Sequence, residues 1–228
     1  MIKKFIALSI LICSAVCMFG QDQNNQYGIP QPKNPDTDKM LKASLEFLQN
    51  PTGMDMTYTV KINDPNNKSN HLTRGSITLK EQKFYLSTPE LEIWYDGENQ
   101  WTYYPQNKEV NISSPDANEL AALIPFFISK DYDKYYTCKY LRYTYSTEQQ
   151  SYIHCLSLIP KNKNNHIEII NFNLFDQNFA PYIIVLNDKN GAKTTITLKS
   201  VKPRTDIDET IFRFDPDKHK GVEIVDLR

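Results

Sequence analysis

Four histidines, two late cysteines and a few closely spaced acids are the residues of this chain that could do chemistry, and their spacing argues against most of it. His71, His154, His166 and His219 fall in separate turns and strands and never take the spacing of a zinc site. No G-x-S-x-G elbow and no phosphate-cradling glycine run occurs, and the 228 residues hold only 7 glycines. Asp215-Pro216-Asp217-Lys218-His219 sets acids at alternate positions, as a calcium loop begins, but the sixth-position glycine and the closing Glu are missing. It reads as a surface turn. Glu90 and Glu92 share a strand parity in the manner of paired carboxylates, and Asp206, Asp208 and Glu209 crowd one stretch. Solvated outer-face and loop positions account for both groups. The reading is of a protein that is not an enzyme and that uses no metal or cofactor.

Cys138 and Cys155 flank an expected hairpin, YYTCKYLRYTYS and QQSYIHCLSLIP, in which they lie nearly opposite each other. A disulfide is expected there, closing a loop whose constraint contributes roughly 3 kcal/mol. Two buried thiols are the alternative. No local motif makes either one a catalytic nucleophile.

The chain opens MIKKFIALSILICSAVCMFGQDQ, in which Lys3 and Lys4 precede an apolar run that turns polar at Gln21. This is a secretory signal layout, assigned to residues 1–20, with cleavage after Cys17 or Gly20. The run is shorter than the roughly 20 residues that span a bilayer. Ile12 and Val16 are bulky before a lipidated cysteine, so the protein is read as freely diffusing rather than anchored. Export also fits the expected disulfide. Net charge is −1, from 26 basic and 27 acidic residues, which gives no electrostatic pull on nucleic acid. Lys161 to His166 is a polar turn rather than a basic patch.

The remaining chain suits one domain with a real core. Residues 21–35 are polar, carry three prolines and are read as a flexible arm; residues 36–228 form the domain. In DTDKMLKASLEFLQNP, Met40, Leu41, Ser44, Leu45 and Leu48 share one helical face, with Asp36 or Thr37 as cap and Pro51 and Gly53 as the stop. The period then changes to two through MTYTVKI, GSITL, KFYLS, ELEIWY, QWTYY and KEVNI, with Asp96-Gly97 as a hairpin turn. Asp116 caps a second short helix holding Leu120, Leu123 and Ile124, which Pro125 limits. Strands resume from Tyr135 and end at Ile211-Phe-Arg-Phe214. The count is about eleven short antiparallel strands and two small helices, a mainly β fold. Two such helices cannot cover the whole apolar face of the sheet. Either the sheet closes on a packed core, or it leaves an apolar hollow under movable helices.

The order of these pieces resembles the periplasmic outer-membrane lipoprotein carrier family, LolA, in a divergent LolA-like branch. The resemblance rests on Phe84 and Pro89, Asp96-Gly97 before Trp101 and Tyr103, Glu109-Val110, Pro125-Phe126, Phe212-x-Phe214, and Gly221-Val222-Glu223-x-Val225-Asp226. It implies one curved antiparallel sheet in an unclosed β-barrel, covered by short helices. It also implies a monomeric periplasmic chaperone that carries lipoproteins by their acyl chains from an inner-membrane extraction complex to an outer-membrane acceptor in a Gram-negative bacterium. One departure stands out. Family members carry an Arg-Pro pair that latches the covering helices, whereas Leu79-Lys-Glu-Gln-Lys-Phe84 has neither residue, leaving Arg74 or Lys83 as the substitute.

The residues support such a lining on their own terms. An acyl chain in water exposes over a dozen methylenes at about 0.8 kcal/mol each, so a carrier must supply matching apolar area. One strand parity offers Ile77, Leu79, Phe84, Leu86, Leu91, Ile93, Trp101 and Tyr103. The helices add Met40, Leu41, Leu45, Leu48, Leu120, Leu123, Phe126 and Phe127. Ordinary core packing is the competing account of every one of them, and a non-carrier lipid-binding or envelope-complex module on the same fold is the competing function.

Overall fold

The computed structural model describes residues 29–48, 52–66, 68–115, 120 and 132–228. Its frame is one sheet of twelve strands in the order β12-β6-β5-β4-β3-β2-β1-β11-β10-β9-β8-β7. The strands are β1 Met54–Asp64, β2 Ser69–Lys80, β3 Lys83–Ser87, β4 Glu92–Tyr95, β5 Gln100–Tyr104, β6 Glu109–Ser113, β7 Tyr136–Ser146, β8 Ser151–Pro160, β9 Ile167–Phe175, β10 Pro181–Asp188, β11 Lys193–Pro203 and β12 Glu223–Asp226. The order runs from edge to edge with no pairing between β12 and β7, so the curved sheet stays unclosed.

Alternation sets the two faces. On β1, Met54, Met56 and Tyr58 are buried on the core side while Asp55, Thr57 and Thr59 point away. The meander is held by short turns such as Asp96-Gly97, where the Asp96 carboxylate accepts from the amides of Glu98 and Asn99 and Gly97 takes a φ of 103°.

Three expectations meet a different outcome. The strand foreseen at Ile211 to Phe214 is a 3-10 turn, Glu209–Phe212, capped by Asp208, whose carboxylate accepts from the amide of Thr210. The twelfth strand comes later, at Glu223–Asp226, and it pairs parallel to β6. This parallel pairing arises because the chain crosses the outer face before joining the edge. The expected disulfide is absent. Cys138 lies opposite Leu158 and packs on the core, whereas Cys155 lies opposite Arg142 in the row of the other face. The bulge after Tyr140 and a four-residue offset, about 13 Å along the strand, put the two sulfurs out of bridging reach.

Helix α1, Thr37–Leu48, forms as expected, and Asp36 is its cap: its carboxylate accepts from the amide of Lys39 and its carbonyl from that of Met40. A four-residue helix, α2 (Tyr132–Tyr135), leads into β7. No helix among the described residues is long and apolar enough to cross a membrane. The proposed leader, the arm up to residue 28, the Asp116 cap, and Leu123, Ile124, Pro125, Phe126 and Phe127 lie outside the described residues.

Candidate functional site

The apolar face of the sheet meets the apolar stripe of α1. Leu41, Leu45 and Leu48 are almost completely buried and Met40 nearly so, in one cluster with Ile77, Leu79, Phe84 and Ile93. Leu120 joins that cluster, and Leu86 and Leu91 pack on its rim half-buried. The second half of the sheet extends the same wall through Leu156, Leu158, Ile170, Phe172, Ile184 and Ile196. These residues were missed as lining candidates, although their strands carry the same alternation; Leu156 pairs with Phe172 and Ile184 with Ile196 on one face.

Trp101 and Tyr103 are not part of this wall. Trp101 pairs with Trp94 and Tyr103 with Glu92, so both stand on the opposite face, and Thr102 takes the inward place opposite Ile93. The error is one residue of register across the Asp96-Gly97 turn, which exchanges the faces of an entire strand. That outer face has its own aromatic cover. Trp94 stacks on Tyr85 with ring centroids 5.3 Å apart and meets Phe214 edge-on at 5.4 Å. His219 wedges between Trp94, Tyr103 and Phe214, its Nδ1 donating to the Asp215 carbonyl at 2.9 Å and its Nε2 lying 3.7 Å from the Glu92 carboxylate. A cleft of about 790 Å³ lies between this cluster and Arg213. None of the acyl-chain candidates lines it.

Among the described residues few polar ties hold α1. The Tyr132 hydroxyl donates to Asp38 in the first turn, which holds that carboxyl below its usual value, with Lys42 one turn on adding to the effect. Burial, followed by the Asp38 carboxylate, pushes the Tyr132 phenol up. Burial also raises the Cys138 thiol to about 11, with Asp38 adding to it, so the sulfur stays a protonated, unreactive packing group. Ser44 is fully buried under the helix and its hydroxyl has no partner among the described residues. Neither proposed substitute for the arginine latch reaches α1. Lys83 binds Glu209 at 2.5 Å beside Lys80 at 2.6 Å, and Arg74 stands on the outer face opposite Thr59. Among the described residues no group of three His, Cys, Asp or Glu is arranged to hold a metal ion.

An unclosed sheet, antiparallel except for β12, with an amphipathic helix laid on its apolar face matches the architecture the sequence resemblance implied. The chain belongs to the family described as outer membrane lipoprotein carrier protein LolA, whose model matches residues 59–191. No curated protein matches. Among solved structures, an uncharacterized conserved protein from Thermus thermophilus aligns with a TM-score of 0.56 at 11% identity, covering 84% of this chain and 99% of that one. A LolA superfamily protein from Nitrosomonas europaea aligns with a TM-score of 0.45 at 14% identity, covering 78% and 97%. LprF from Mycobacterium bovis gives 0.43 at 12% identity, covering 79% and 99%.

Proposed function

We propose that this chain is an envelope chaperone, acting without catalysis, that shields the acyl chains of lipoproteins between the inner and outer membranes. The observation that carries this reading is the seating of α1. A helix whose apolar stripe is buried, but whose polar ties to the domain are few among the described residues, covers the apolar face of a sheet with an open seam. Exchanging helix side chains for hydrocarbon tails on that face conserves buried apolar area, so loading and release are close to balanced. Binding of a fluorescent fatty-acyl probe to the purified protein tests the proposal. Saturable binding is expected, weakened at least tenfold by Leu45→Glu and by Leu91→Glu, each checked for folding by circular dichroism. Absence of binding by the folded wild-type protein contradicts it.

One observation favours the second reading, a partner-binding module in an envelope complex. Leu141, Tyr145 and Tyr152 are exposed beside the β7 edge, with Tyr145 and Tyr152 in edge-to-face contact at 5.1 Å. On that reading the helix stays seated and the acyl probe does not bind.

A further inference from the structure

We infer that the free edge of β7 is a strand-addition site for an extended peptide of alternating apolar and acidic residues, and that the chain's own residues 29–35 guard it in cis. The inference rests on the partner-binding reading of this edge and deepens it by naming the occupant and the guard. β7 ends the strand order and pairs with β8 alone. The ladder fixes where its remaining main-chain groups point. The Tyr152 carbonyl accepts from the Asp176 amide at 3.0 Å, so it faces away from β7, and Tyr145 and Tyr152 form a non-hydrogen-bonded pair. The main-chain N–H and C=O of Tyr145, and of Tyr143 two residues before it, therefore point off the sheet.

Gln31 already occupies the first of these positions. Its Nε2 donates to the Tyr143 carbonyl at 2.9 Å and its Oε1 accepts from the Tyr143 amide at 2.8 Å. A side-chain carboxamide thus reproduces one rung of an antiparallel ladder. From Gln31 the chain runs antiparallel to β7, because the Thr37 side chain hydrogen-bonds Cys138 further down the strand. It cannot complete the ladder, since Pro30 and Pro32 flank Gln31 and carry no N–H. The outward groups of Tyr145 take no partner among the described residues. Proline beside an edge is a known protection against pairing with another chain. Gln31 is exposed, so a partner's backbone can replace its two hydrogen bonds and add the rung at Tyr145.

The two faces beside the edge set the partner's side chains. On the core face the Tyr143 ring stacks on Tyr152 at 5.1 Å, and Tyr145 meets Tyr152 edge-on at the same distance. The Tyr143 phenol is hydrogen-bonded to the Asp176 carboxylate, which also lies 2.7 Å from His154 Nε2, so this aromatic row is held in place. Tyr145 and Tyr152 are still 43% and 44% exposed. Apolar side chains of an added strand would continue the row. On the opposite face β7 carries Lys139 and Arg142, and the strand holds no acidic residue. Acids of an incoming strand would stand beside those cations, whereas bases would be repelled. This gives the alternation of apolar and acidic residues.

The test uses the purified full chain, wild type and Gln31→Ala, with short fluorophore-labelled peptides of alternating valine and glutamate, of alternating valine and lysine, and of valine and glutamate N-methylated at every residue. Saturable binding of the valine–glutamate peptide to Gln31→Ala is expected, several-fold tighter than to wild type because the arm no longer competes. The lysine peptide and the N-methylated peptide, which has no N–H to give, are each expected to bind at least tenfold more weakly. Binding should slow amide exchange at Tyr143 and Tyr145, and Lys139→Glu should weaken it several-fold. No saturable binding by Gln31→Ala, or binding that leaves exchange at Tyr143 and Tyr145 unchanged, overturns the inference. Equal binding of the N-methylated peptide also overturns it, while leaving the edge a partner surface of another kind. Affinity unaltered by Gln31→Ala overturns the guard.

Discussion

The two faces of the sheet are covered by different pieces of the chain, and the two covers are fastened in opposite ways. Outside, the segment from Asp208 to Leu227 is pinned throughout: Glu209 by Lys80 and Lys83, Arg213 by Asp96, and β12 by its ladder with β6, with Leu227 donating to the Ile112 carbonyl. Phe212 and Val110 are completely buried beneath it. Inside, α1 buries four large apolar side chains, and among the described residues its polar side-chain ties to the rest of the domain are few, the Asp38–Tyr132 contact and a side-chain hydrogen bond between Thr37 and Cys138. Apolar contact is not directional, so a cover held by it can be traded for another apolar surface, whereas a cover held by a hydrogen-bonded ladder cannot. The comparison assigns movement to α1 and permanence to the C-terminal segment.

The sharpest challenge to that contrast is a pair of truncations. Leu45→Ala is expected to cost about 2–5 kcal/mol and Phe212→Ala about 3–5 kcal/mol in denaturant unfolding. Amide exchange separates them: Leu45→Ala speeds exchange in α1 and spares β12, while Phe212→Ala deprotects β12 and β6. Equal loss at both sites breaks the comparison. Tyr132→Phe comes next, with a cost of about 1–2 kcal/mol confined to α1. Its pH signature has a definite sign. The Asp38 carboxyl is depressed in the folded state, so its contribution is complete above the ordinary value of 3.8 and is lost as pH falls through the lower folded value. Thermal unfolding across that acid range is expected to lose less in Tyr132→Phe than in wild type.

Ser44→Ala removes a buried hydroxyl without a partner among the described residues and restores the best helix former, with an expected gain of up to about 1 kcal/mol, read by thermal unfolding. Arg213→Ala is the smallest, about 0.2–1 kcal/mol, because its guanidinium is largely exposed and the ladder around it remains.

Local rules made much of this legible. The apolar spacing of Met40, Leu41, Leu45 and Leu48 marked the buried face of α1, and its start was legible as Asp36 or Thr37, of which Asp36 is the cap. Strand alternation identified Ile77, Leu79, Phe84 and Ile93 as one wall. What failed was non-local. Aromatic residues occur on both sides of Trp94 to Tyr104, so composition did not reveal that the turn reverses which parity faces inward, and Trp101 and Tyr103 were placed on the wrong side. Cys138 and Cys155 look opposed only while the hairpin turn is unplaced; with Ser146 opposite Ser151, Arg142 faces Cys155 and Cys138 faces Leu158, and the single bulged residue at Leu141 alters that offset by only one place. Nor does any local pattern reveal that β12 joins β6 in parallel, since both partners read as ordinary alternating strands.

Hydrogen–deuterium exchange of the protein with and without a bound palmitoyl chain tests the central claim most directly. The account predicts that loading accelerates exchange in α1, residues 40–48, and leaves β12, residues 223–226, unchanged. Acyl binding with α1 protection unaltered, or with both covers loosened together, would contradict it.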